Sequence, residues 1–343
     1  MAKVGENHEG SAHSAGAPTV SIALCTYNGE RYLEEQLRSI AAQSRLPDEL
    51  VVCDDASSDR TLEIVAEFRS RVSFSVILRK NEQNLGYTGN FASALAAVSG
   101  DIVFLSDQDD IWHETKIERY LAAFASDPSA LLAYGDSRLV DSSGVPLGRT
   151  LWQLLGFQPA DSHALGTREG FDLVLKRGNL YCGCSMAVKR ALIAEATPLP
   201  KGMPHDLWLG MLASGLGAVQ LISEPLLDYR QHAAQTSGAK RPGLFSRVRR
   251  MFGSLKYYAG TSHYDRWIVE HEELEQRLAG AKVGKAQESL AAVQNKLAFL
   301  RAMQKAKSTS RWRRVSILGG EVAAGRYQRY AHGWKNLVVD LLL

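Results

Sequence analysis

The chain has 343 residues, 45% hydrophobic and 22% charged, with a formal net charge of +3. This composition excludes a disordered or fibrous chain and suits one large globular domain or two ordinary ones. No run of 18 apolar residues occurs and residues 1–17 are small and polar, so the sequence predicts neither a membrane span nor a secretory leader. It predicts a cytoplasmic protein with a disordered tail over 1–17.

From there the chain alternates apolar runs with amphipathic stretches. Thr19–Cys25 reads as a strand, Glu30–Ala42 as a helix, Glu49–Cys53 as a strand and Asp59–Arg71 as a helix. Phe74–Leu78 (strand), Asn90–Val98 (helix), Asp101–Leu105 (strand), a helix from about His113 to Ala125 and a strand at Ala130–Tyr134 follow. Near-continuous apolar strands alternating with helices predict an α/β fold, a Rossmann-like, mostly parallel sheet covered on both faces. Residues 136–180, with scattered Gly, Ser and Pro, read as loops on the acceptor side. From Tyr264 to Met303 the apolar residues recur at helical spacing, and Gly280 and Gly284 are expected to break that stretch into two helices.

The small net charge conceals a division. Residues 1–240 carry 21 Lys+Arg against 29 Asp+Glu, whereas residues 241–343 carry 19 against 8. The expected organisation is therefore a tail over 1–17, a catalytic unit over 18–240 and a basic helical extension over 241–343. In the extension, Arg241–Phe252 interleaves arginines with apolar residues. That composition suits an amphipathic helix on an anionic membrane surface, with Trp312 and Trp334 adding contacts, or equally a packing helix with a solvated face. No nucleic-acid recognition motif accompanies the charge. The four cysteines, Cys25, Cys53, Cys182 and Cys184, read as free structural thiols, the last two being too close for an unstrained disulfide.

Ligands of parallel sheets bind beyond the carboxyl ends of the strands. Those ends hold Thr26-Tyr27-Asn28, Asp54-Asp55, Arg79 and Asp107-Gln108-Asp109-Asp110. Residues two apart on an extended backbone point to one side, so Asp107 and Asp109 can converge on a hard cation such as Mg²⁺ or Mn²⁺ while Gln108 turns away. The competing reading of the acidic run is a cap on the helix that follows.

The motifs Val20–Gly29, Glu49–Asp59, Asn84-Leu85-Gly86, Ser106–Trp112, Gly183-Cys184, His205-Asp206-Leu207-Trp208 and Tyr229-Arg230-Gln231-His232 occur in the order seen in glycosyltransferase family 2. The chain resembles that family, inverting nucleotide-sugar transferases of the GT-A fold, over residues 18–236. Asp107–Trp112 and Tyr229–His232 look most like bacterial rhamnosyltransferase-type members. The resemblance implies that Thr26, Tyr27, Asn28, Asp54 and Asp55 contact the nucleotide, with Arg79 and Arg230 near the diphosphate and Asn84 in a loop that approaches the donor. It makes Asp109 a direct metal ligand, Asp107 a ligand of ribose or metal-bound water, His232 a further metal ligand and Asp206 the base that deprotonates the acceptor. Each has a plainer alternative: helix caps for Asp206 and Asp55, a salt bridge for Arg230, a surface imidazole for His232. Trp208 is expected in the core beneath the site.

The function so implied is transfer of a sugar, rhamnose from dTDP or another sugar from UDP, to a glycan or lipid-linked acceptor of bacterial surface polysaccharide, at the inner face of the membrane. Two other classes compete. A nucleotidyltransferase-like enzyme would carry a Gly-rich phosphate loop with Arg and Lys after the first strand, where Thr26–Arg31 has one Gly and one Arg. A non-catalytic scaffold or glycan-binding protein would have no need of Asp107, Asp109 and Asp206 together.

Overall fold

The computed structural model describes residues 16–157, 167–178, 180–232, 262–284, 286–331, 337–338 and 340–341. Most of the expected tail and the basic stretch Arg241–Phe252 lie outside the described residues, as does Trp334. The elements in chain order are β1 (Val20–Thr26), α1 (Leu33–Ala41), β2 (Glu49–Asp54), α2 (Thr61–Arg69), β3 (Ser75–Lys80), α3 (Gly86–Ala97), β4 (Ile102–Ser106), β5 (Ile111–Trp112), α4 (Lys116–Ser126), β6 (Leu132–Val140), β7 (Pro146–Thr150), α5 (Leu151–Leu155) and α6 (Arg168–Arg177). A 3-10 turn at Gly183–Ser185 leads to β8 (Met186–Lys189), α7 (Arg190–Ala196), α8 (His205–Gly215) and β9 (Val219–Arg230). The helices α9 (Ser262–Gly280), α10 (Ala286–Lys307), α11 (Arg311–Ala323) and α12 (Arg326–Tyr330) follow.

The strands form one sheet in the order β3-β2-β1-β4-β8-β6-β9-β5, with β7 paired to β6. The first four are parallel as expected, whereas β8 runs antiparallel to both β4 and β6. Two reversals restore direction, so β6, and β9 parallel to it, run with β4. The carboxyl end of β9 therefore reaches the same rim as the carboxyl end of β4, which brings Arg230 and His232 to the acidic run.

The continuous apolar strands are buried on both faces, as their composition predicts. In β1, Val20, Ile22 and Leu24 enter a core with Leu33, Leu37 and Ile40 of α1, Val65 of α2 and Tyr120 of α4. Ala23 and Cys25 face the opposite core, with Phe91 and Leu95 of α3, Trp208 of α8 and, continuous with them, Leu274, Leu278, Leu297 and Leu300 of α9 and α10. The carboxy-terminal helices thus pack on the sheet unit. Arg277 ties them down, donating to the carbonyls of Glu195, Thr197 and Pro198 at 3.0, 2.9 and 3.0 Å. The predicted break between α9 and α10 lies at Gly284, whose φ is 76° and where a Cβ would stand 2.6 Å from the Leu216 carbonyl oxygen. Only glycine combines that backbone with that approach.

Two local differences from the sequence reading have one cause. β6 continues past Tyr134 to Val140, and β7, α5 and α6 occupy much of the stretch read as loop. Polar Asp136 and Ser137 masked the strand, yet both are buried with tertiary partners. Asp136 accepts from the Trp152 N–H at 3.0 Å, and Ser137 Oγ lies 2.6 Å from Ser185 Oγ. Similarly α3 begins four residues before the expected Asn90, because Asp55 caps it from a distant strand end.

Candidate active site

At the first two strand ends the buried polar side chains have internal partners. Asp54 is fully buried and accepts from Thr26 Oγ1 at 2.9 Å, the Ser57 N–H at 2.9 Å and Ser57 Oγ at 2.5 Å. Asp55, also buried, accepts from Asn81 Nδ2 at 2.9 Å and from the Leu85 and Gly86 N–H groups at 2.8 and 2.9 Å. A hydrogen bond to a charged group contributes roughly 1.5–3 kcal/mol, so these two aspartates hold the β2–α2 and β3–α3 turns in place. Asn84 belongs to the same turn, its Oδ1 accepting from the Gly86 N–H at 3.1 Å. Asn28 sits at φ 47°, the left-handed region, and its Oδ1 accepts from the Ser58 N–H at 2.9 Å. What this rim offers to a ligand is the exposed Tyr27 ring and, at the outer edge, the exposed Arg79.

The β4 end is different in kind. Asp109 Oδ2 lies 2.7 Å from His232 Nε2, and the two are almost wholly buried. Asp110 is fully buried; one oxygen receives the Arg230 N–H at 3.2 Å, while Oδ2 has no hydrogen-bond partner among the described residues. Ligand atoms of Asp107, Asp110 and Cys184 all lie within 4.8 Å of one another. Burial, and then the negative charges of Asp109 and Asp206, push Asp107 up to about 7, opposed only in part by Lys116. Asp110 is raised well above the usual carboxylate range by burial and by the charges of Asp109 and Asp107. Carboxylates crowded in this way, one with an orphaned buried oxygen, form an electrostatic deficit that a divalent cation would remove. Hard oxygens with one imidazole nitrogen fit Mg²⁺ or Mn²⁺.

Asp206 stands in the first turn of α8, whose C-terminal end feeds the start of β9 at the far rim, so its N-terminal end faces the site. It is half-buried, accepts from the Leu207 N–H at 2.7 Å, and its charge acts on Asp107 and on the Cys182 thiol. The helix starts at His205 with Pro204 at its N-cap and no side-chain cap, so the cap alternative for Asp206 does not hold, while its charge reaches the acidic run. Trp208, two residues on, is wholly buried and donates to the Ala196 carbonyl at 2.9 Å, as expected of a core residue. His205 stacks on Phe91 at a centroid separation of 3.8 Å, and burial lowers it to about 4, so it is neutral beside the acid.

Arg230 turns inward. Its Nε donates to the Asp109 carbonyl at 2.8 Å, one terminal nitrogen to Glu35 at 2.6 Å and the other to the Ser142 carbonyl at 3.2 Å. The side chain expected near the diphosphate is thus engaged as a clamp on the acidic loop, the salt-bridge alternative. Three supports escaped the sequence reading. Gln36, in the amide orientation that satisfies both ends, donates to the Asp110 carbonyl at 2.6 Å and accepts from Trp112 Nε1 at 3.0 Å. Gln108 does turn from its neighbours, but to pair with the Tyr27 backbone at 2.8 and 3.0 Å. A Cβ at position 29 would stand 2.3 Å from the Gln108 Oε1, so Gly29 admits that pair. Lys116, fully buried, donates to the Cys184 carbonyl at 2.7 Å and lies 4.0 Å from the Trp112 ring centroid. A helical register of polar residues facing a core was the available signal for Gln36 and Lys116.

The family model described as Glycosyl transferase family 2 matches residues 21–193, half of the chain. An uncharacterized glycosyltransferase of Nostoc sp. is 25% identical over 225 residues, covering 63% of this chain and 65% of that protein. The dTDP-rhamnosyl transferase RfbG of Shigella flexneri is 32% identical over 132 residues, 35% of this chain and 46% of that protein. The match thus spans just under two thirds of the Nostoc protein's length and less than half of the Shigella protein's. The crystal structure of S. aureus TarS 1-349 in complex with UDP-GlcNAc superposes with a TM-score of 0.55 at 16% identity, covering 91% of this chain and 89% of that one. This last likeness speaks to the fold. With the sheet order, the acidic β4 end and the matched family model agreeing, the chain belongs to glycosyltransferase family 2 and has the GT-A fold.

Proposed function

We propose that the protein is a metal-dependent inverting glycosyltransferase that moves a sugar from a nucleotide-diphosphate donor to a glycan or lipid-linked acceptor. The observation that carries this reading is the meeting of Asp107, the Asp109–His232 pair and Asp206 on one rim, with Asp206 acting electrostatically on Asp107. Asp109, His232 and Asp107 would hold Mg²⁺ or Mn²⁺. When bound, the ion neutralises charge on the leaving diphosphate.

The remaining roles fall to the chain itself. Tyr27, half exposed at the β1 end, offers a face on which the base stacks, and Thr26, Asn28, Asp54, Asp55 and Asn84 shape the cradle around it. Arg79 supplies a cation at the outer edge. Arg230 and Gln36 fix the Asp109-Asp110 backbone, so the carboxylates stay aimed despite their mutual repulsion. Asp206 accepts the proton of the acceptor hydroxyl as that oxygen attacks the anomeric carbon from the side opposite the diphosphate. Single displacement with inversion follows from that arrangement.

The rhamnosyl activity of the Shigella relative supports a dTDP donor, and UDP is the other candidate. Such products belong to bacterial surface polysaccharide. Among the described residues no helix is long and apolar enough to cross a membrane. Trp312 is 88% exposed between exposed Arg311 and Arg313, which supports peripheral contact with an anionic lipid surface. A thermal-shift panel of UDP-, dTDP- and GDP-sugars with and without Mn²⁺ tests the reading. Metal-dependent stabilisation by one nucleotide class is expected, and no response to any donor would remove it.

A further inference from the structure

Beside the acidic run lies a pair of thiols that glycosyl transfer does not require. Cys182 Sγ and Cys184 Sγ are 3.5 Å apart and both are free thiols. Cys184 Sγ belongs to the cluster in which Asp107 and Asp110 oxygens lie within 4.8 Å. Cys182 adjoins that cluster through its contact with Cys184. One sulfur and two carboxylates thus gather within 4.8 Å, the second sulfur stands 3.5 Å from the first, and Asp110 Oδ2, fully buried, has no hydrogen-bond partner among the described residues.

The turn that carries the thiols is held on every side. Lys116 Nζ donates to the Cys184 carbonyl at 2.7 Å, and Tyr120 Oη to the Ser185 carbonyl at 2.9 Å. The Ser185 N–H closes the turn on the Cys182 carbonyl at 3.1 Å. Glycine at 183 lets it press against α8, since a Cβ there would stand 2.6 Å from His205 Nε2. The sulfurs are therefore presented at a fixed separation. Metal–sulfur bonds of about 2.3 Å in tetrahedral geometry place two thiolates roughly 3.8 Å apart, close to what the turn already provides.

We propose that Cys182, Cys184, Asp110 and Asp107 form a site for a thiophilic divalent cation, Zn²⁺ by chemistry, which adjoins the hard-cation site of Asp109 and His232 and shares Asp107 with it. Sulfur ligands select zinc over Mg²⁺ and Mn²⁺, which take oxygen. As each metal–sulfur bond forms, the thiol proton leaves to solvent, so binding releases protons and changes no oxidation state. Asp107 cannot serve both ions, so zinc occupancy draws it away from the donor's cation and stops transfer. That last consequence rests on the transferase reading; the site itself does not.

The test titrates chelator-treated full-length protein with Co²⁺ and follows the near-ultraviolet sulfur-to-cobalt absorption, which oxygen and nitrogen ligands do not produce. The wild-type chain is expected to show the band and lose it on adding Zn²⁺. Cys182→Ser and Cys184→Ser should each abolish it, while Asp109→Ala retains it. In transfer assays with Mn²⁺, Cys182→Ser should raise the zinc concentration for half-inhibition about tenfold or more. Absence of the band in the wild-type chain, or its persistence in both cysteine variants, overturns the proposal. A normal band in a chain that turns over no donor supports the zinc site and sinks the transferase reading instead.

Discussion

The molecule carries two acidic strand ends on one rim, flanking β1, and they are built to opposite purposes. At the β2 end, Asp54 and Asp55 are each met by three hydrogen-bond donors from the chain and bind neighbouring turns together. At the β4 end, Asp107 and Asp110 crowd together beside Cys184, Asp109 meets His232, and one buried Asp110 oxygen has no hydrogen-bond partner among the described residues. The first end is satisfied and stabilising. The second is left with charge unmet by the chain, which costs folding free energy and is the kind of deficit a ligand removes. Aspartate at a strand end is thus no sign of a ligand site until its donors are counted.

Variants can break that comparison. The largest effect is expected for Asp109→Ala, which removes the partner of His232. Turnover should fall about ten-thousandfold, and the Mn²⁺-dependent thermal shift with donor should vanish. Unchanged turnover would move the cation elsewhere. Asp206→Asn should lower kcat about a thousandfold while the metal-dependent donor shift survives, separating proton transfer from binding. If the donor shift disappears as well, Asp206 is a ligand and not a base.

Asp55→Ala should act on the other side of the divide. Urea denaturation should show a loss of about 3 kcal/mol, from three orphaned donors, with turnover below the unfolding transition reduced far less than in either active-site variant. A large rise in donor KM at unchanged stability would instead make Asp55 a nucleotide ligand. The smallest effect belongs to Tyr27→Ala. Stability should stay within about 0.5 kcal/mol, because the ring is exposed, and donor KM should rise by up to about tenfold from lost base stacking. An unaltered KM would take the base off that ring.

Much of the fold was legible in local chemistry. The apolar runs of β1, β2 and β4 and the helical spacings of α1 and α9–α10 needed no tertiary information, because period and composition determine burial. The acidic run after β4 and the His232 three residues beyond the Leu226–Tyr229 stretch were likewise visible as candidates. What remained hidden was every feature whose partner is distant. The polar residues of β6 read as loop until Trp152 and Ser185 supply their hydrogen bonds, and α3 starts early because Asp55 caps it from another strand.

Sequence by itself determined that this chain is an α/β protein with carboxylates at strand ends, since alternation and residue type are local properties. Only the tertiary structure decided which carboxylates are free to act. Two antiparallel reversals at β8 bring the end of β9 to the β4 rim, so that Asp109 meets His232 and Arg230 turns inward to clamp the loop. The same assembly sets two cysteines against Asp107 and Asp110. A carboxylate's role depends on how many donors and charges surround it, and those neighbours come from segments far apart in the chain.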